Sequence, residues 1–196
     1  MTDDFTPDLW TIGHSNHPIE HVLDLLCRHG IEAVVDVRSR PYSRFAPQYR
    51  KDRLERSMPD AGIAYLHLGN ELGGKPVRDD EPKAGLDYRS RIVRPDFRRS
   101  IERLLALAGE RRTALMCRER DPLDCHRTHL ICRHLRRRVG AIRHILPDGR
   151  LEAHSATEQR LLERVGVDPL PLFDGAPATN EDALERAYDR FWQYGA

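Results

Sequence analysis

Apolar residues along the chain change their spacing several times, and each change marks an element. In "DLWTIGHS" (8–15) a short apolar run closes on polar residues, the pattern of a brief strand. In "PIEHVLDLLCRHG", Ile19, Val22, Leu23 and Leu26 recur at helical spacing, with Pro18 suited to a first turn and Gly30 to a stop. "IEAVVDVRS" (31–39) has the continuous β-branched character of a strand covered on both faces. These three segments read as a βαβ unit, for which a right-handed crossover is the rule. A Pro- and Arg-rich loop leads to a helix in "RKDRLERSMPDAG", ending at Gly62, and to a third strand in "IAYLHLG" (63–69).

The alternation then pauses. "NELGGKPVRDDEPKAG" has the Gly, Pro and charge content of a long surface loop, a candidate lid. It resumes with the helix "DFRRSIERLLALAGE", whose inner stripe is Ile101, Leu104, Leu105 and Ala108, and with a fourth strand in "RTALMCRE". Asp121 or Asp124 caps a following helix that buries Ile131, Leu135 and Val139, and "AIRHILPDGRLEAH" supplies a fifth strand with a turn. Beyond it, "GVDPLPLFDGAPATNED" carries turn and linker residues before the helical "EDALERAYDRFWQYG", where Leu184, Tyr188 and Phe191 offer an apolar face. The expectation is an α/β, Rossmann-like three-layer fold with a mostly parallel sheet of about five strands. It assigns residues 1–153 to the α/β domain and residues 154–196 to a C-terminal linker and helical appendage.

Composition adds limits rather than a function. The 196 residues are 39% hydrophobic and 32% charged, enough apolar material for one core. No apolar run approaches the roughly 20 residues that cross a bilayer, and the acidic opening "MTDDFTPDLW" lacks a signal-peptide pattern. A cytoplasmic protein with no membrane partner is expected. The cysteines at 27, 117, 125 and 132 do not form the pattern of a stapled secreted domain, so reduced thiols are expected. The net charge of +1 hides a segregation: residues 1–30 hold one Lys or Arg against five acids, residues 31–150 hold 27 against 17, and residues 151–196 hold four against nine. A basic middle attracts phosphate-bearing small molecules or nucleic acid, or simply forms solvated helix faces.

In a parallel sheet, ligands bind beyond the carboxyl ends of the strands, and the chemically capable residues gather at those ends. The first strand delivers His14 and Ser15; the second Asp36, Arg38 and Ser39; the third His67 and Gly69; the fourth Cys117 and Glu119. Cys125, His126 and Arg127 complete the rim. Catalytic candidates are Cys125, Glu119, Asp36 and His14. Cys125 is expected in a first helical turn beside Arg127, a setting that stabilises a thiolate or binds an anion. His14 titrates near neutrality, and Asp36 and Glu119 are carboxylates at buried strand ends. Ser15, Arg38, Ser39, Gly69, His126 and Arg127 are substrate-binding candidates. Cys117, inside its strand, and Cys27 and Cys132, on amphipathic helices, read as packing residues.

Three familiar sites do not match. A Cys-based phosphatase loop needs an arginine six positions after its cysteine, and positions 123 and 131 are Leu and Ile. A structural zinc site favours closely spaced cysteine pairs, which Cys117 and Cys125 are not, so no metal is assigned. "GNELGGKP" imitates only part of a phosphate-cradling loop, and no cofactor is assigned. The ordered set "TIGHS", "VVDVRSRPYSRF", "YLHLGNELGG" and "CRERDPLDCHRTHL" resembles the bacterial and archaeal family called domain of unknown function 488, over roughly residues 9–150. The resemblance implies no activity. Its motif positions are Gly13, His14, Ser15, Asp36, Arg38, Pro41, Ser43, Gly69, Leu72, Gly73, Cys117, Glu119, Cys125, His126 and Arg127, which adds Ser43 and Gly73 to the substrate-binding candidates. Three readings stay open: a hydrolase or group transferase acting on a phosphate-bearing substrate in a basic cleft, a non-enzymatic nucleic-acid or protein-binding module, and a metal-binding or redox protein using Cys117 and Cys125.

Overall fold

A computed structural model describes residues 6–42, 44–74, 87–167 and 180–194. Strands β1 (Leu9–Gly13), β2 (Ala33–Asp36), β3 (Ala64–His67), β4 (Thr113–Cys117), β5 (Ile142–Ile145) and β6 (Leu151–Ala153) form one sheet in the order β3-β2-β4-β1-β5-β6. The first five run parallel, and β6 pairs antiparallel with β5. The expected α/β class and three layers are therefore present, with the turn after Ile145 returning as a sixth strand.

Side chains alternate across the sheet, so Ala114 and Met116 of β4 face one layer and Leu115 and Cys117 the other. The first layer holds α1 (Ile19–Arg28) and α2 (Lys51–Asp60), whose Val22, Leu26, Leu54 and Met58 pack with Ile12, Val34 and Met116. The second holds α3 (Gly69–Leu72), α4 (Tyr88–Ile92), α5 (Pro95–Glu110), a π-helical turn (Arg127–Cys132) and α6 (Arg133–Leu135). Phe97, Ile101, Leu104, Ile131 and Leu135 there close over Val35, Leu115 and Ile142. Each such side chain stabilises the fold by about 1.5–3 kcal/mol relative to exposure. Cys132 is buried as expected, whereas Cys27 is exposed, because the inward stripe of α1 runs through Val22, Leu25 and Leu26 and turns residue 27 outward.

Two further helices cover the second layer: α7 (His154–Val165) and α8 (Asn180–Tyr194). Periodicity did not disclose α7, because its buried stripe is His154, Thr157 and Leu161, two of them polar. Tyr188 and Phe191 of α8 pack with Leu161 and with Leu123 of the main domain. Leu184 is also buried. The acidic side of α8 meets the basic run of residues 133–138: Arg133 pairs with Glu185 and Asp189, and Arg136 with Glu181 and Glu185. The guanidinium of Arg133 also lies over the rings of Tyr88 and Tyr188. No helix among the described residues is long and apolar enough to cross a membrane. Most of the candidate lid, residues 75–86, lies outside the described residues.

A buried chain of hydrogen bonds joins β1 to these helices. Thr11 Oγ1 lies 2.7 Å from His144 Nδ1, His144 Nε2 3.1 Å from His154 Nδ1, His154 Nε2 3.2 Å from the Tyr188 hydroxyl, and that hydroxyl donates to Glu158 Oε1 at 3.0 Å. With Tyr188 donating to Glu158, every donor meets an acceptor when both imidazoles are neutral and carry their protons on Nε2. A second proton on either ring would set N–H against N–H or against a hydroxyl proton. Burial pushes His144 well below its usual range, and burial followed by the charge of Arg136 lowers His154 to about 3.

The unfolded chain therefore takes up protons below pH 6.5 that the folded chain refuses, and stability falls from that pH downward by about 1.4 kcal/mol per pH unit for each such histidine. Melting temperatures from pH 8 to pH 5 should show this decline, and His154→Gln should make it shallower. A variant slope equal to that of the wild type would remove His154 from the titrating set.

Candidate functional site

The strand order sets β4 between β2 and β1, so the chain leaves three adjacent strands on one edge at His14, Val37 and Arg118. These exits, with Ser39, Arg40, Tyr42, Phe45, Ala46 and Gly74, surround a cleft of about 840 Å³. Ser15, Asn16, Ser39, Arg40, Tyr42, Phe45, Arg118 and Arg120 line it, together with His14, Arg38, Cys117, Glu119 and His126. Gly13 makes the close approach of the first and fourth exits possible: a Cβ there would lie 1.8 Å from the carbonyl oxygen of Glu119.

One side of the cleft rests on a buried ion pair. Arg38 grips Asp36 with Nε on Oδ1 at 2.9 Å and Nη2 on Oδ2 at 2.6 Å, and the Tyr65 hydroxyl donates to Oδ2 at 2.7 Å. Burial alone would raise the Asp36 carboxyl, but the hydrogen bonds and charge of Arg38, with that of Tyr65, hold it below the usual range. Arg38 also donates from Nη2 to the Tyr49 carbonyl at 2.8 Å and from Nη1 to His14 Nε2 at 2.9 Å. His14 therefore carries its proton on Nδ1, which donates to the Ser15 carbonyl at 2.7 Å, and its ring stacks on Tyr49 with centroids 3.9 Å apart. Burial, reinforced by Arg38, lowers His14 to about 3. His14 is thus neutral, with both nitrogens engaged, rather than titrating near neutrality. Asp36 is wholly buried and spends its oxygens on Arg38 and Tyr65.

The other side gathers sulfur, carboxylate and imidazole. The Cys117 thiol donates to Glu119 Oε2 at 3.0 Å and the Cys125 thiol to the same oxygen at 3.1 Å. His126 Nδ1 lies 3.5 Å from the Cys117 sulfur and 3.9 Å from that of Cys125. Its Nε2–H donates to the Val37 carbonyl at 3.0 Å, so Nδ1 faces the sulfurs; burial would lower this imidazole, but Cys125 and Glu119 hold it above its usual range. These four ligand atoms lie within 4.8 Å of one another, a donor set able to hold a metal ion. Burial would raise Glu119, but the two thiol hydrogen bonds bring it down to about 2.

The direction expected for Cys125 is reversed. Its side chain is fully buried, and burial, then the neighbouring Cys117 sulfur, raises its thiol well above the ordinary value despite Arg127 and His126. Cys125 heads the helical turn as the sequence implied, its carbonyl accepting from the Thr128 N–H at 3.0 Å and its sulfur from the Arg127 N–H at 3.4 Å, but it follows a 3₁₀ turn (Pro122–Asp124) capped by Asp121 and its side chain is buried. Cys117, read as a packing residue and, in the third reading, as a metal or redox partner of Cys125, is a member of the cluster and reaches the cleft.

Of the remaining candidates, Ser15 and Ser39 line the cleft, whereas Gly69, Gly73 and Arg127 do not. Both glycines are buried beneath the Arg38–Ser39 backbone; a Cβ on Gly69 would meet the Arg38 carbonyl at 1.9 Å, and one on Gly73 the Ser39 hydroxyl at 2.1 Å. Arg127 turns inward and staples the loop, donating to the Glu119 carbonyl at 2.7 Å. Ser43 lies outside the described residues. Sequence reasoning missed Arg40, Arg118, Arg120, Tyr42 and Phe45 as cleft residues, although the basic runs around them were the available signal. Tyr49 and Tyr65 gave no such signal, since an aromatic in or near a strand reads as core.

No curated protein and no solved structure shows significant similarity to this chain. The family model described as domain of unknown function DUF488 matches residues 18–133, which takes in the Asp36–Arg38 pair and the whole Cys117–His126 segment but stops short of α7 and α8. A match over more than half of the chain establishes the relationship: the protein belongs to the DUF488 family.

Proposed function

We propose that the cleft takes a phosphate-bearing ligand with an attached base, a nucleotide or a nucleic-acid end, as the substrate of a hydrolase or group transferase. The observation that carries this reading is the state of three arginines. Arg40, Arg118 and Arg120 line the cleft and are exposed, and none of them meets a carboxylate among the described residues. Outside the cleft, Arg133, Arg136 and Arg160 are neutralised by acids, while Arg53, Arg56, Arg99 and Arg103 are dispersed over helix faces, so what distinguishes the three is their convergence on one concavity. Unpaired guanidiniums around one concavity suit phosphate oxygens, which they bind through paired N–H donors.

Two aromatic rings supply the second half of the reading. Phe45 is 81% exposed and Tyr42 62% exposed at the same cleft, with Arg44 over the first ring and Arg50 over the second. A base stacks on such a ring without regard to its identity. The only acidic side chain on the described lining is Glu119, beside the Cys117 thiol and His126, so these three are the groups offered to a reacting phosphate or ester.

Titration with a short 5′-phosphorylated single strand at several salt concentrations tests the arginines. Binding should weaken as salt rises, and Arg118→Ala with Arg120→Ala should flatten the log–log slope by about 0.7 for each phosphate that the variant no longer neutralises. Binding at low salt that is untouched by this double variant would place the ligand elsewhere. Phe45→Ala should cost about 1–3 kcal/mol against base-bearing ligands and nothing against inorganic phosphate. Equal losses for both probes would argue against stacking.

A further inference from the structure

We propose that Cys117, Glu119, Cys125 and His126 bind one tetrahedral zinc ion in the wall of the cleft. The proposal stands on the geometry of these four side chains and holds whether or not the cleft takes a phosphate.

Zinc bound at about 2.3 Å by sulfur and about 2.0–2.2 Å by nitrogen or oxygen in a tetrahedron has its ligand atoms roughly 3.4–3.8 Å apart. Here the sulfur-to-oxygen distances are 3.0 and 3.1 Å and the sulfur-to-nitrogen distances 3.5 and 3.9 Å, so small rotations about the side-chain bonds bring all four atoms onto one centre. The imidazole is oriented for this role. Its Nε2–H is held by the Val37 carbonyl, the outer contact that fixes the tautomer of a ligating histidine and aims Nδ1 at the ion. The carboxylate is placed by its own backbone, whose carbonyl is held by Arg127.

The donor set selects the metal. Two cysteine sulfurs exclude magnesium and calcium, which take oxygen, and the mixture of sulfur, imidazole and one carboxylate in a tetrahedral arrangement is that of zinc. On binding, each thiol releases its proton to solvent and its sulfur lone pair forms the bond to the ion; no electron is transferred. Cys125 is sealed from solvent, while Glu119 and His126 are partly exposed on the cleft side, so the ion enters from the cleft and leaves the carboxylate as the ligand nearest to any bound molecule.

The test uses the full chain, purified without a histidine tag under reducing conditions, stripped with a chelator and titrated with cobalt(II). Expected are saturation at one equivalent, thiolate-to-cobalt charge-transfer absorption, the intense visible bands of a tetrahedral ion, and loss of all of these when zinc is added. Cys117→Ser and Cys125→Ser should lose much of the charge-transfer absorption, Glu119→Gln should shift the visible bands while keeping it, and Cys27→Ser should match the wild type. Should the Cys125 variant fail to fold, zinc-dependent protection of Cys117 and Cys125 from alkylation, read by mass spectrometry on the wild type, serves in its place. No saturable uptake, cobalt bands unaffected by Cys117→Ser, or alkylation indifferent to zinc would overturn the proposal. Phosphate-strand binding measured on the stripped protein fails or succeeds separately, so the two readings stand or fall apart.

Discussion

The Asp36–Arg38 pair is the contact on which the rest of the carboxyl edge depends. It joins β2 to β3 through Tyr65, to the loop after β1 through His14, and to the turn at residues 47–49 through the Tyr49 carbonyl. Val37 sits between the two charged residues, so the pair also fixes the direction of the carbonyl that receives His126. A buried pair of this kind contributes little net stability against an apolar replacement, yet removing one partner costs about 3–5 kcal/mol because the other charge is stranded. Its value here is positional: both walls of the cleft take their orientation from one short stretch of β2.

Charge segregation in the sequence acquires a different meaning in three dimensions. Part of the basic excess of residues 31–150 is consumed internally, since the acidic face of α8 lies on Arg133 and Arg136, while α7 makes the opposite exchange, its Arg160 and Arg164 meeting Asp121 and Asp124. The C-terminal helices thus act as counterions to the domain they cover. Among the described residues, exposed arginines without a carboxylate stand both at the strand ends, as Arg40, Arg118 and Arg120, and on helix faces, as Arg53, Arg56, Arg99 and Arg103; only the first group converges on a concavity.

Much of the fold was legible because parallel strands buried on both faces leave continuous apolar runs, as in "EAVVDV", and because amphipathic helices such as α5 leave a clean stripe. The gathering of His14, Asp36, Arg38, Cys117 and Glu119 at one edge followed from the strand-end rule. Roles were harder to read. Cys125 does head a helical turn beside Arg127, but the local pattern does not disclose its burial, which outweighs both and raises its thiol, nor that Arg127 turns into the loop. A metal-binding reading of Cys117 and Cys125 was weak in the sequence because a closely spaced cysteine pair is the usual signature of a structural zinc site. Here a strand end and a turn supply one sulfur each, and the chain between them folds back. Helix α7 escaped notice because histidine and threonine occupy its buried stripe, where His154 serves the hydrogen-bond chain and Thr157 donates to Glu152 Oε1 at 2.9 Å.

The distribution of these contacts along the chain also bears on the order of folding. Cys117, Glu119, Cys125 and His126 lie within one short stretch, so bringing them together closes only a small loop and costs little chain entropy. The carbonyl that orients His126 lies 89 residues away, on a strand that reaches β4 only after the intervening helices have been traversed. The four side chains can therefore cluster early, while their final alignment waits for β2 to pair with β4. Completed pairing of the central strands is what turns a local cluster into a geometrically defined site.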